Sequence, residues 1–450
     1  MAQSPASSLV QVKIEDLKVG MYVQLDCHWL KHPFLLNRFK VKSAAELAAI
    51  RRLGQVTIHM DPARSDPESL KKATASGADP TVQPGHIQAE PIIPEESEEE
   101  KALKIKKGER IQAFLRCQEQ VKKANSSYVN ALRQNKEVID QVSAGRKEGV
   151  TTATQMIERV TDVLQKEDTA TAMFNVINSK GFEARDFASF HSLNVCMVSM
   201  MLGRDFDLGR DELLWLGIGA LLHDIGERKI PSPVLNKRLQ GAPLTRAEKA
   251  FFELHPEYGQ SMVQSFCSFP PASAQVVYQH HERVDGSGYP CRLKDDAISR
   301  LSKIVMVADE YDHLTNNHNP SKSLHPAEAL SHMYVNREKV FSGDVIVGLV
   351  RTLSVYPPGT MVRMSDGSLA MVISINFHAT TRPIVMLYEP GISKDNVVVL
   401  NLAEDMDLSI EKTLRRTEVP KEALDFLNPQ RMAGYFIQTI DQPDGPMEKR

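Results

Sequence analysis

Cysteine is scarce in this chain of 450 residues: the 5 present, Cys27, Cys117, Cys196, Cys267 and Cys291, lie far apart and form no CxxC pair. Their spacing argues against a disulfide scaffold and a thiolate zinc site, and fits a reducing compartment. A basic excess is also missing. Lys plus Arg number 54 against 57 Asp plus Glu, a formal net charge of -3, so the positive field that a DNA or RNA polymer calls for is absent. No apolar run approaches the length of about 18 residues needed to cross a bilayer, and the opening MAQSPASSLVQVKIEDLKVG has neither a basic segment nor an apolar signal core. The expectation is a cytoplasmic protein with no membrane insertion.

Hydrophobic residues make up 42% of the chain, and at about 100–200 residues per domain the length allows several folded units with real cores. Residues 1–62 read as a small α+β module: VQVKIEDLKVGMYVQLD alternates around a turn at Lys18-Val19-Gly20, AAELAAIRRLG reads as a helix, and VTIHM as a last strand. Trp29 and Phe34 are expected to pack there. Residues 63–100, rich in Pro, Ser, Gly and acid and ending in EESEEE, read as a linker. A helical connector over 101–166 precedes a helical domain over 167–355. Around Tyr356-Pro357-Pro358-Gly359 the texture changes to strands and a hairpin, a small β unit over 356–410, and 411–450 reads as a helical segment with a frayed tail.

There are 14 histidines, 9 of them between His191 and His332. Within the helical domain the order is His191, His223-Asp224, His255, His280-His281 and Asp309, each ending or interrupting an apolar helical segment. Burying such groups costs several kcal/mol apiece unless hydrogen bonds, opposite charge or a metal compensates. One histidine in this setting is ordinarily a satisfied core or surface residue; five with two aspartates point to metal. Nitrogen and carboxylate donors without thiolates suit Fe, Mn or Zn, with carboxylates as bridges. The set exceeds what one tetrahedral ion needs. Next to the paired histidines runs Glu282-Arg283-Val284-Asp285-Gly286-Ser287-Gly288-Tyr289-Pro290, a tight loop whose backbone can approach a ligand closely.

His223-Asp224 and HHERVDGSGYP resemble the HD-GYP domain, the bacterial branch of the HD phosphohydrolases that hydrolyses the messenger cyclic di-GMP, over about residues 165–355. The amino-terminal module is similar to a small domain of unknown function often found ahead of HD-GYP domains. The resemblance implies a multidomain protein: a mainly α-helical HD-type metal phosphohydrolase bundle, a small α+β amino-terminal domain and a small β-rich carboxy-terminal unit. It implies two divalent metal ions, iron or manganese. His191, His223 and Asp309 would serve one, His255, His280 and His281 the other, with Asp224 bridging. Asp224, Asp312 and Glu227 fall at catalytic positions, with Asp312 near substrate and able to assist proton transfer. Lys229, Gly288, Tyr289 and Lys322 are the substrate-binding candidates, while Glu282 and Asp285 would orient ligand rings or the loop. The implied product is the linear dinucleotide pGpG, with GMP as a further product. The implied partners are cyclic di-GMP and bacterial signalling proteins met through the amino-terminal module or the glycine loop; a homodimer is compatible with the long helices.

Three positions depart from that pattern. Members with three metals carry a glutamate one helical turn before the first histidine, where this chain has Phe187, so two metals are expected. The family commonly reads HDIGK, its lysine directed at substrate phosphate; this chain reads HDIGE. Glu227 is therefore expected to repel phosphate, with Arg228 or Lys229 as substitutes, and Glu227→Lys to strengthen binding. An arginine-proline-tyrosine-arginine segment becomes Asn319-Pro320-Ser321-Lys322. Two further readings stay open: a non-enzymatic cyclic dinucleotide sensor or protein-interaction module, which the departures favour, and a hydrolase of another phosphoester.

Overall fold

A computed structural model of the protein describes residues 9–26, 32, 34, 38–54, 56–70, 98–165, 170–176, 187–317, 322–336, 340–376, 379, 381–388, 398–404, 408–427 and 434–440. The chain divides into two compact units, Met1–Leu115 and Arg116–Arg450.

In the first unit β1 (Val10–Val12), β2 (Tyr22–Leu25), β3 (Arg38–Lys40) and β4 (Ile58–Met60) make an antiparallel sheet in the order β1-β4-β2-β3. The turn into β2 passes through Gly20 at φ +93, a conformation that glycine adopts without a Cβ clash. Helix α1 (Ala44–Arg51) starts at Ser43, whose Oγ accepts from Glu46 N–H at 3.1 Å, an N-cap that satisfies one of the open amides of the first turn. Val23, Leu25, Ile50 and Ile58 form its core. Phe34 is buried and stacks on Phe39 at 4.3 Å; Trp29 lies outside the described residues.

Helix α2 (Glu98–Ser143) crosses from one unit into the other, beginning inside the acidic stretch read as linker. It stops at Gly145, φ +72, where Arg146 N–H returns to Gln141 O at 2.9 Å, a left-handed helix end. There follow α3 (Lys147–Leu164), β5 (Ala170–Val176), α4 (Phe187–Asp205), α5 (Arg210–Leu221), α6 (Ser232–Leu239), α7 (Arg246–Phe252), α8 (His255–Gln264), α9 (Pro271–Gln279), α10 (Arg300–Thr315), α11 (Pro326–Asn336) and α12 (Gly343–Leu353). Helix α4 is the axis of this bundle. Every residue from Ser189 to Gly203 is buried, and α5, α10 and α12 pack around it. A helix apolar on all sides is what a central position requires; the polar residues it nevertheless buries, His191 and Asn194 among them, therefore need partners in the interior.

The chain then builds β6 (Met361–Met364), β7 (Leu369–Ser374), β8 (Ile384–Tyr388), β9 (Val399–Asn401), β10 (Ile410–Thr413), α13 (Lys421–Leu427) and β11 (Gly434–Ile440). The strands form one antiparallel sheet, in the order β10-β6-β7-β5-β11, with β8 on β7 and β9 on β8. Its composition differs from the sequence expectation at both ends. Residues 170–176, read as the start of the helical domain, pair with residues 434–440, read as a frayed tail, in register from Ala170↔Ile440 to Val176↔Gly434. GYFIQTI is rich in β-formers, but a strand whose partner stands before the bundle leaves no local signal of pairing. Among the described residues no helix is long and apolar enough to cross a membrane.

One close approach fixes where the chemistry can be. After α5 the chain turns through a short 3-10 helix, Ile225–Lys229, against the first turn of α8. A Cβ on Gly226 would stand 1.9 Å from the carbonyl oxygen of His255 and 2.5 Å from Gly259 N. Only a glycine lets the two backbones touch, and that contact sets His255 beside Asp224. Gly226→Ala is expected to destabilise the protein by more than the roughly 1–3 kcal/mol typical of overpacking, read as a lowered urea midpoint; an unchanged midpoint would refute the backbone contact.

Candidate metal centre

Three histidines of the centre sit just past a helix end and turn one ring nitrogen back onto it. His223 Nδ1 lies 2.8 Å from Ala220 O in the last turn of α5, His255 Nδ1 is 2.9 Å from Phe252 O at the end of α7, and His280 Nδ1 is 2.8 Å from Val277 O near the end of α9. Helix ends leave carbonyls open, and at Phe252 the residue four positions on is Pro256, which has no N–H to offer. A carbonyl only accepts, so each Nδ1 carries a proton, and in a neutral ring the lone pair is then left on Nε2. His191 is fixed in the same sense by a side chain, its Nδ1 donating to Asp312 Oδ2 at 2.7 Å.

The free Nε2 atoms converge on Asp224. Oδ1 lies 3.4 Å from His255 Nε2 and 3.3 Å from His280 Nε2, while Oδ2 lies 3.3 Å from His223 Nε2 and 3.6 Å from His191 Nε2. The nitrogens also face each other, His191 to His223 at 3.3 Å and His255 to His280 at 3.2 Å. Asp224 Oδ1 is buried without a hydrogen-bond partner. Acceptors crowded in this way repel unless a cation sits among them. Donors about 2.1 Å from a common ion stand about 3.0–3.4 Å apart, which is the spacing found. Asp309 closes the His191 side, Oδ1 at 3.1 Å from His191 Nε2. His281 packs on the other, its ring 4.2 Å from that of His280 and its Nε2 buried without a partner. These side chains form groups that could hold a metal: Asp224 with His255, His280 and His281, and His191 with His223 and Asp224 or with Asp309 and His313.

Electrostatics divide the centre. Burial pushes His280 down to about 4 and holds His281 well below its ordinary value, so both rings are neutral and free to ligate. Burial opposes charge on His191 too, but Asp309 and Asp312 outweigh it and raise it well above the usual imidazole range; Asp224 raises His223 likewise. Burial works against ionisation of Asp224 and Asp309 as well, yet the surrounding histidines hold both well below the usual carboxylate range. The carboxylates thus make a pocket that favours positive charge.

A cleft of about 270 Å³ opens on the His191 side, lined among others by Phe187, Asp224, Glu227, Arg228, Arg238 and His313. Several candidate residues stand elsewhere than the sequence suggests. Asp312 is buried behind His191: Oδ2 takes its Nδ1–H, and Oδ1 accepts from Asn194 at 3.0 Å and Asn316 at 2.7 Å. Its acceptors are committed to the interior, so it positions a ring, and it is not among the residues that line the cleft. Glu227 does line the cleft, but it is paired with Arg238 Nη1 at 2.8 Å, so its charge does not stand alone against a phosphate. Arg228 is half-exposed and paired with Asp140 of α2 at 2.8 Å. Lys229 and Lys322 are exposed, and neither makes an ion pair among the described residues; Asn319, Pro320 and Ser321 lie outside them. Gly288 serves its own loop, since a Cβ there would stand 2.4 Å from Arg283 N. Tyr289 leans over the centre, its ring 4.8 Å from that of His281. Glu282, buried, accepts from Cys291 N–H at 2.7 Å and Leu293 N–H at 2.9 Å, and Asp285 from Ser287 N–H at 2.9 Å; together they hold the glycine loop.

Two cleft residues escape sequence reasoning. His313 is one helical turn beyond Asp309, its Nδ1 2.8 Å from Asp309 Oδ1, and the four-residue spacing on α10 was the available signal. Arg238 has none, because its partner is on another element.

Two known families match the chain: a domain of unknown function, DUF3391, over residues 9–153, and the HD domain over residues 171–345. The chain is a DUF3391–HD protein. The HD domain carries every residue of the centre. Across 94% of its length the protein is 26% identical to a cyclic di-GMP phosphodiesterase of Pseudomonas aeruginosa, 95% of which is covered. A cyclic di-GMP phosphodiesterase response regulator of Xanthomonas campestris is 32% identical over 34% of this chain and 40% of its own. A 3'3'-cGAMP-specific phosphodiesterase of Vibrio cholerae is 27% identical over 42% and 39%. Among solved structures an HDGYP protein of Bdellovibrio bacteriovorus matches 76% of this chain and 98% of its own at 14% identity and a TM-score of 0.39.

Because Asp312 holds the HD domain's His191 from behind, Asp312→Ala is expected to weaken divalent metal binding by about 10–100-fold while the helical circular-dichroism signal persists. Undiminished affinity by metal titration would show that His191 needs no such support.

Proposed function

We propose that this protein is a metal-dependent phosphodiesterase that opens cyclic di-GMP to the linear dinucleotide pGpG. The observation that carries the reading is the set of buried acceptors around Asp224, which face one another at 3.2–3.4 Å with no proton to share. Two divalent ions would be held by this donor set, His191, His223 and Asp309 serving one and His255, His280 and His281 the other, with Asp224 facing both groups. All donors are imidazole nitrogen or carboxylate oxygen, which suits iron or manganese. Such ions supply Lewis acidity toward a phosphate oxygen and a nucleophile from water near neutral pH.

The chain's own contribution is orientation and exclusion. Helix-end carbonyls and Asp312 set the imidazole tautomers, Glu282 stiffens the loop that carries Tyr289, and Phe187, Leu221 and Leu239 give the cleft apolar walls. The substrate class rests on the relatives, two of the three above being named for cyclic di-GMP and one for 3'3'-cGAMP. The sensor alternative drew on Glu227 as a bare negative charge and on the missing arginines of the segment at 319–322; the pairing of Glu227 with Arg238 removes the first of these supports. A cytoplasmic location goes with a second-messenger substrate and is part of the same proposal.

Protein loaded anaerobically with Fe(II) or Mn(II) is expected to convert cyclic di-GMP to pGpG, followed by chromatography. Chelation should abolish the conversion and metal re-addition restore it. Asp224→Ala, which removes oxygens from both sides of the centre, should form no product. Cyclic di-GMP bound but left intact by the fully metallated wild type would overturn the enzyme reading. Turnover of 3'3'-cGAMP alone would overturn the substrate while leaving the phosphodiesterase.

A further inference from the structure

The pairing of Glu227 poses a question that the HD motif does not answer: what meets the phosphate where the resemblance calls for a lysine. Arg238 reaches that place from α6. Its Nη1 donates to Glu227 Oε1 at 2.8 Å, and its guanidinium lies 4.0 Å from the centre of the Phe252 ring. Both members of the pair are about a quarter exposed, 26% for Arg238 and 25% for Glu227, and both line the cleft that contains Asp224 and His191. Guanidinium carries five N–H donors in a planar fork. Glu227 takes one, and the rest have no hydrogen-bond partner among the described residues.

The other nearby cations are less suited. Arg228 points to Asp140 on the rim and is 47% exposed, where water screens it. Lys229 is exposed and does not line the cleft. Arg238 alone of the three is held on one side by a carboxylate and on another by an aromatic face, which restricts its rotamers before any ligand arrives and so lowers the cost of ordering it on binding.

We infer that Arg238 is the phosphate-contacting cation of this cleft and that Glu227 is its positioning residue, the two together taking the part of the lysine expected at position 227. The inference rests on the phosphodiester reading of the site and specifies how that site grips its ligand. It reverses the expectation for Glu227→Lys alone, which would set a lysine against Arg238 and displace the guanidinium.

The test compares wild type, Arg238→Gln, Glu227→Lys and the double variant Glu227→Lys/Arg238→Gln, each with its bound metal measured. KM and kcat are read for cyclic di-GMP, and equilibrium Kd is read for pGpG, which reports binding without turnover. Arg238→Gln should raise KM and Kd by about tenfold or more, as expected for loss of a hydrogen bond to a charged group, with metal content unchanged. Glu227→Lys should also bind more weakly than wild type. The double variant, which returns one cation to the cleft, should recover most of the affinity that Arg238→Gln loses. A purely structural ion pair would give a double variant no better than the single. That result, a KM and Kd for Arg238→Gln within about twofold of wild type, or an affinity loss accompanied by metal loss, would overturn the inference. Wild type that binds pGpG without hydrolysing cyclic di-GMP sinks the enzyme reading and leaves the Arg238 comparison decided by Kd. Wild type that binds neither nucleotide sinks both.

Discussion

Three acceptor atoms, Asp224 Oδ1, His255 Nε2 and His280 Nε2, stand within 3.4 Å of one another in the protein interior, and the bundle is arranged to hold them there. Left alone they would separate or take up protons. Proton uptake at His280 is opposed by burial, and separation is opposed by the helix ends, because the Nδ1 of each ring is tied to a carbonyl three residues back. The same hydrogen bonds complete α7 and α9 at their C-termini. Ring orientation and helix termination are therefore one feature: a change that extended either helix past its histidine would withdraw the carbonyl and turn the ring.

The Gly226 contact shows the same coupling at the level of packing. Asp224 leads into a 3-10 turn whose backbone touches the first turn of α8, so the carboxylate is located by the element that supplies His255. Burial of these polar groups costs several kcal/mol each when unpaired, and the surrounding apolar residues of α4, α5 and α9 offset that cost only while the polar set remains mutually satisfied. Charge follows a parallel logic. The chain as a whole is slightly acidic, at -3, and the centre is locally more so. An anionic ligand can approach only through local positive charge, and the cleft provides a guanidinium that is itself partly neutralised by Glu227.

Much of this centre was legible in the sequence because its donor residues are local. His223-Asp224 and His280-His281 are adjacent pairs, and His255 precedes a proline at a helix start; each marks a helix end that can be read from the apolar stripes. What stayed hidden is what depends on contacts between distant elements. Asp312 sits at a family position, but its direction is decided by His191, 121 residues away, and by Asn194. Arg238 reads as one more charge on a short polar helix until the fold brings Glu227 against it. Strands β5 and β11 have the same character, since their pairing spans the whole helical bundle. Phe187 is an intermediate case: its residue type alone excluded a third-ion donor one turn before His191, but its place as a cleft wall, with the ring parallel to the imidazole at 6.4 Å, shows only in the fold.

Beyond residue 116 the connector helix α2 packs as one more layer of the bundle. Tyr128, Val138, Ile139 and Val142 belong to the bundle's apolar core. Asn135, fully buried, donates to Ser189 O and Ser192 Oγ, both at 2.8 Å, in the turn of α4 that contains His191. Ile139 lines the cleft and Asp140 holds Arg228 at its rim. A buried amide that loses its partners costs about 1–3 kcal/mol, so this stretch of α2 cannot slide along α4 without breaking those bonds and moving a wall of the cleft. This stretch of α2 is thus a structural part of the centre, since it holds the turn of α4 that carries His191 while Asp312 holds the ring itself.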